Sequence, residues 1–300
     1  MQINMIRSDK VYQEMLELPL EKREGCFRAK ILAPFAMKYQ TQHIPLKAKY
    51  PGGFDALFLL GFMNQLPSTL SEKDRPAIDS LSSDQLWQDC QDTIKRSIGL
   101  FEQAGYDLDV EDYHFTILLG NPEKPMLQIN KGYSGDGGIP GYLMLSLLPN
   151  DYTLPRVQAA LAHECNHNVR FQFVKWNQQT TLADWVVSEG LAESFAAELY
   201  GKDLIGSWVT STSPEQLEEI KPIISSQLQL TGMAEMAPYL YGDEIAKIQG
   251  QIPVGMPYAA GYAYGYHLIQ AYLKKTGKSI IEATVTSTEE ILEATKDFWK

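Results

Sequence analysis

The chain has 300 residues, a net charge of −11 and a hydrophobic share of 44%, enough for a well-buried core in one large domain or two closely packed ones. It lacks the clustered lysine and arginine that nucleic-acid binding needs, and no apolar run approaches the ~20 residues of a membrane span. Cys26, Cys90 and Cys165 are too scattered for a disulfide framework and read as reduced thiols.

The N-terminus has no basic stretch followed by an apolar core, so a cytoplasmic protein without a secretory signal is expected. Residues 1–112 read as a mainly helical region. Within it Leu86, Trp87, Cys90, Ile94, Ile98 and Phe101 recur at helical spacing, and Gly105 is placed to end that helix. The segment 113–119, rich in aromatic and β-branched residues, reads as a strand. A glycine-rich turn is expected over 132–138, then a second strand over 142–148. Thr153 is placed to N-cap a helix over 154–173, with Pro155 tolerated in its first turn. Thr181 and Gly201 are placed to open and close the next helix. The remainder reads as helical over 213–297, most clearly over 258–275, where Lys274, Lys275 and Gly277 mark the end. An α+β, mostly helical chain is expected, with a second region over 113–300 that holds strands (113–148), metal-binding helices (154–200) and C-terminal helices.

The helix over 154–173 carries His163-Glu164-Cys165-Asn166-His167. Residues i and i+4 share a helix face, so both imidazoles can converge on one metal ion with Glu164 at the edge of that face. Two ligands and a general base beside a metal-held water make the geometry of a zinc hydrolase. A catalytic zinc takes three protein ligands. The next helix offers Glu189 and Glu193, one turn apart in a stripe with Leu182, Ala196 and Tyr200. Carboxylates on a buried face need a cation or hydrogen bonds, which a zinc ion with its histidines supplies; on an exposed face they would be ordinary solvated glutamates. Glu189, 22 positions after His167, is expected as third ligand, and Glu193 as acceptor for a histidine ring N–H. Gly190 costs about 1 kcal/mol relative to alanine in a helix; beside Ala192 and Ala196 it suits close helix approach.

An HExxH helix followed by Glu-Gly-Leu-Ala-Glu resembles the gluzincin class of zinc metallopeptidases. It is most similar to a bacterial family of predicted zinc-dependent proteases, domain of unknown function 2268. Gly261-Tyr262-Ala263-Tyr264-Gly265-Tyr266 stands where that family has a glycine-tyrosine repeat in a late helix. The resemblance covers residues 113–275. It implies a thermolysin-like zincin core, with a small antiparallel or mixed sheet packed on the HExxH helix and a helical C-terminal part. It further implies one Zn2+ held by His163, His167 and Glu189, with Glu164 as base. A tyrosine hydroxyl near the metal could donate to an oxyanion, and Tyr262, with Tyr266 behind it, is the candidate from the stripe formed with Tyr258. The same stripe could be core packing, and His267 reads as structural.

His-Glu-Cys-Asn-His also resembles the peptide deformylase motif, and Glu24-Gly25-Cys26 imitates its thiolate segment. That segment stands more than a hundred residues before His163, far outside the family's spacing. Gluzincin aminopeptidases carry a glutamate ahead of the metal helix that holds the substrate amine. The comparable stretch here, from Gly137 through Gly141 and Tyr142, has none. It reads either as an edge strand pairing with an extended peptide or as a plain turn. The expected function is a zinc-dependent metallopeptidase, endopeptidase before aminopeptidase, whose zinc-held water is activated by Glu164. Its partner is a peptide or protein substrate, with no nucleic acid. The alternative is a non-catalytic peptide- or protein-binding protein that keeps a zincin fold and metal site.

Overall fold

The structure, a computed structural model, describes residues 1–299. It has β1 (Gln2–Met5), α1 (Ser8–Glu17), α2 (Leu20–Phe27), α3 (Ala36–Thr41), α4 (Ala56–Leu60), α5 (Arg75–Leu81), α6 (Asp84–Gln103), β2 (Asp112–Leu119), α7 (Pro125–Ile129), β3 (Tyr133–Ile139) and β4 (Tyr142–Leu147). There follow α8 (Val157–Phe173), α9 (Leu182–Tyr200), α10 (Ser207–Thr210), α11 (Pro214–Ser226), α12 (Met233–Tyr241), α13 (Asp243–Ile248), α14 (Ala260–Thr276), α15 (Ile280–Val285), α16 (Thr288–Ala294) and α17 (Lys296–Trp299). The architecture is α+β and mostly helical, with one small mixed sheet. Contacts group the chain into two compact units, residues 1–96 with 109–164 and residues 97–108 with those from 165 onward. No helix of the described residues is long and apolar enough to cross a membrane.

The first unit is built on the sheet, in the order β1-β2-β4-β3. β1 and β4 flank β2 in parallel, and β3 pairs antiparallel with β4. β2 is central because both its faces are covered, every residue from Phe115 on being buried. α1 buries Val11, Tyr12, Met15 and Leu16. It is tied to β2 by the Leu119 amide, which donates to the Tyr12 hydroxyl at 3.2 Å, and by the Ser8 hydroxyl, which donates to the Ile117 carbonyl. β1 carries no periodic signal of its own, being short and half polar; its pairing with β2 makes it a strand.

Two local expectations are corrected. The turn expected over 132–138 is strand β3, the last of the sheet. Its glycines weaken the strand signal, but the ladder to β4 supplies the pairing. The reversal falls one step later, at Gly141, whose φ of +87° only glycine adopts readily. Nor does Thr153 cap the motif helix. Its backbone is already helical, and its hydroxyl donates to the Leu148 carbonyl at 2.6 Å. A 3-10 turn, Leu154–Arg156, leads into α8 instead.

The second unit is helical. α9 opens on a capping box: the Asp184 amide donates to Thr181 Oγ1 at 3.2 Å, and the Thr181 amide donates to the Asp184 carboxylate at 2.9 Å. Residues 185–196 are all buried, so α9 is packed all round rather than along one stripe. α14 crosses it at glycines. A Cβ added to Gly190 would strike the Gly265 carbonyl, and one on Gly265 would strike the Val186 carbonyl. The close approach expected of Gly190 is present, and Gly265 is its counterpart.

Candidate metal centre

Residues 159–170 of α8 are buried, and they include His163, Glu164 and His167. Past the end of α8 the Gln179 amide donates to the Asn177 side chain at 2.7 Å, and the Asn177 amide donates to the Thr180 hydroxyl at 2.9 Å. These bonds order the connection that delivers α9. One ligand atom each from His163, His167 and Glu189 all lie within 4.8 Å of one another. His167 Nε2 and Glu189 Oε2 are 3.2 Å apart. Donors ~2.0 Å from a tetrahedral ion stand about 3.3 Å apart, so this spacing suits two ligands to one ion as well as the direct hydrogen bond it makes here.

The three side chains are only 4%, 6% and 8% exposed. A carboxylate so buried needs compensating charge, and two imidazoles with one carboxylate form a donor set of catalytic zinc. The residues fit one Zn2+. The contacts that restrain the set include one to Glu189 and one to His167. The Trp185 indole donates to Glu189 Oε1 at 3.3 Å, and the His167 ring stacks on Phe171 with centroids 5.7 Å apart.

Glu164 is 7% exposed, and β3 lies against it. A Cβ at Gly135 would fall 2.5 Å from Glu164 Cγ and nearer still to its carboxylate. One at Gly137 would fall 2.9 Å from the Cα and carbonyl carbon of Glu164. Strand alternation turns both positions toward α8, and both must be glycine. The spacing of 135 and 137 was the available signal, hidden by reading the stretch as a turn.

Glu193 is buried, and it accepts the Gly206 amide on Oε1 at 2.6 Å and the Trp208 indole on Oε2 at 2.7 Å. The Tyr262 ring stands 6.1 Å from that of Tyr241 and 6.3 Å from that of Trp208. Tyr266 packs with Ile205 and Val209, and burial followed by the charge of Glu193 pushes its pKa up. Tyr258 precedes α14. Tyr142 stacks on His114 at 5.3 Å, just past the Gly141 turn. His267 is half-buried; burial, then Lys221, holds its pKa below the ordinary histidine value. Cys165 is a fully buried core residue.

Sequence reasoning did not single out Arg170, three positions after His167. It is fully buried and donates to Ser188 Oγ, the carbonyls of Thr284 and Thr286, and Thr288 Oγ1 at 2.8–3.2 Å. Burial lowers its pKa to about 10, which leaves it charged at neutral pH.

Residues 86–293 match the family of predicted Zn-dependent proteases, DUF2268. The chain belongs to this family. YjfC, an uncharacterized protein of Bacillus subtilis (strain 168), is 33% identical over 293 residues, which cover 97% of each chain. YjaZ, an uncharacterized protein of the same organism, is 26% identical over 155 residues, covering 50% of this chain and 55% of its own. No solved structure matches the chain. The family's description and the His-His-Glu donor set agree on zinc.

Proposed function

We propose that this family member is a metallopeptidase with one zinc ion, cutting within peptide chains. The observation that carries the reading is the convergence of the His163, His167 and Glu189 donors within 4.8 Å, on helices that also bury Glu164. These three residues would hold the ion. When bound, the ion supplies Lewis acidity, lowering the pKa of water and polarising a carbonyl. Glu164 would take the proton of the attacking water on its carboxylate and return it to the leaving amine. Gly135 holds the β3 main chain against that carboxylate, and Gly137 holds it against the main chain of Glu164. An extended substrate paired along β3 would carry its scissile bond past Glu164.

Gly141 and Tyr142 would complete the strand pair that backs such a substrate. The stretch from Gly137 to Tyr142 offers no glutamate to hold a free amine, which favours an endopeptidase. Tyr262, with Tyr266 one turn on, would supply the hydroxyl that steadies the oxyanion. The same reading takes residues 113–300 as a thermolysin-like catalytic region and 1–112 as an addition to it.

The test is Glu164→Gln, with zinc content and cleavage of a mixed peptide pool measured together. Zinc should stay at the wild-type level while nearly all cleavage is lost. Full activity in the variant refutes Glu164 as base. A wild-type protein that holds zinc and cleaves nothing would be a binding protein with a zincin-type site.

A further inference from the structure

We infer that Trp185 is a positioning residue for the metal centre, one that makes Glu189 offer a single oxygen to the ion. The inference rests on the reading of Glu189 as a ligand. Trp185 is 6% exposed, and an indole N–H so buried needs an acceptor. Its acceptor is Oε1 of Glu189, one helical turn on, at 3.3 Å. The other oxygen, Oε2, is then the one 3.2 Å from His167 Nε2. A carboxylate can bind a metal through one oxygen or both. Here one oxygen is committed to the indole, and the open position that catalysis needs is kept from the second.

The ring is itself fixed. Trp176 meets it edge-on at 5.6 Å and 87°, and Tyr241 at 5.6 Å and 90°. The direction of the N–H is therefore set by packing on both sides, and through it the rotamer of a side chain with three free torsions. Hydrogen-bonding partners of metal ligands typically contribute about 10–100-fold to metal affinity.

The experiment measures zinc affinity by competition with a chelating dye, in a cycle of wild type, Trp185→Phe, Glu189→Ala and the double variant. Trp185→Phe should weaken zinc binding about 10–100-fold, and the double variant should bind no more weakly than Glu189→Ala alone. Zinc should also change tryptophan emission in the wild type, and that change should shrink in Trp185→Phe. Should phenylalanine disturb the fold, judged by metal-free thermal unfolding, a benzothiophene analogue of tryptophan at 185 keeps the shape and removes only the N–H. Unchanged affinity in the analogue, or an equal loss with and without Glu189, overturns the inference and leaves the zinc reading standing. Wild-type affinity in Glu189→Ala alone overturns the ligand reading instead.

Discussion

Gly135→Ala tests whether the strand beside Glu164 sets the position of the proposed base. The new methyl would lie 2.5 Å from Glu164 Cγ. Carbon atoms pack at ~3.5–4.0 Å, so the side chain must retreat by about 1 Å. What moves is the end of a flexible side chain, so the cost in stability should be about 1 kcal/mol, the low end for overpacking. For activity the same displacement is large, since a reacting group misplaced by ~1 Å can lose about 100-fold. The measurements are kcat/KM on a quenched fluorescent peptide pool, zinc by mass spectrometry and thermal unfolding. We expect a loss near 100-fold with wild-type zinc and little change in melting. Gly137→Ala is the contrast. Its methyl meets the backbone of Glu164, 2.9 Å from Cα, which cannot swing aside, so about 3 kcal/mol of stability should go as well. Wild-type kcat/KM in Gly135→Ala would mean that the carboxylate beside β3 is not the group that takes the proton.

Gly190→Ala should cost about 3 kcal/mol, because its methyl meets the backbone of Gly265 and lies 2.9 Å from Ile269 Cγ1; an unchanged melting temperature would show that α9 and α14 do not cross there. Chelation should lower the melting temperature, since free zinc at 100 times its Kd adds about 2.7 kcal/mol to the folded state, and the drop should vanish in His163→Ala. The folded-state pKa of His267 lies below the unfolded one. The unfolded chain therefore binds more protons as pH falls through ~6.5, and stability falls with it. His267→Gln should lose less stability than wild type between pH 7.5 and 5.5, and superimposable unfolding curves would refute the assignment.

The parts of the chain legible in its sequence are those whose signal is local. The Thr181 cap, the Gly201 and Gly277 stops and the spacing from Leu86 to Phe101 are written within one or two helical turns, and each matches an element boundary or a buried face. His163 and His167 are legible for the same reason, since four residues of helix decide their geometry. What stayed hidden depends on partners distant in sequence. β1 exists because Gln2 finds Asp112, and β3 exists despite its glycines because Tyr133 finds Leu147. Thr153 is a local exception, its hydroxyl taken by the Leu148 carbonyl five positions back. Trp185 had no reading of its own, although its acceptor Glu189 stands four positions on in the same helix.

Arg170 is a buried cation on the helix of His163 and His167, and its hydrogen bonds go to neutral groups. A guanidinium facing a carboxylate makes paired hydrogen bonds that occupy both oxygens. Arg170 reaches Ser188, next to Glu189 in sequence, yet makes no such pair. Instead its donors go to Ser188, Thr284, Thr286 and Thr288, all neutral oxygens, and no carboxylate accepts from it among the described residues. The buried cation is thus hydrogen-bonded by neutral partners, while Asp184 and Glu289 act on it through charge. Around Glu189 stand the Trp185 indole and two imidazoles, a setting that a divalent ion would suit in charge and size. Two helices this buried carry histidine, glutamate and arginine only because each polar group has a separate account of what it binds.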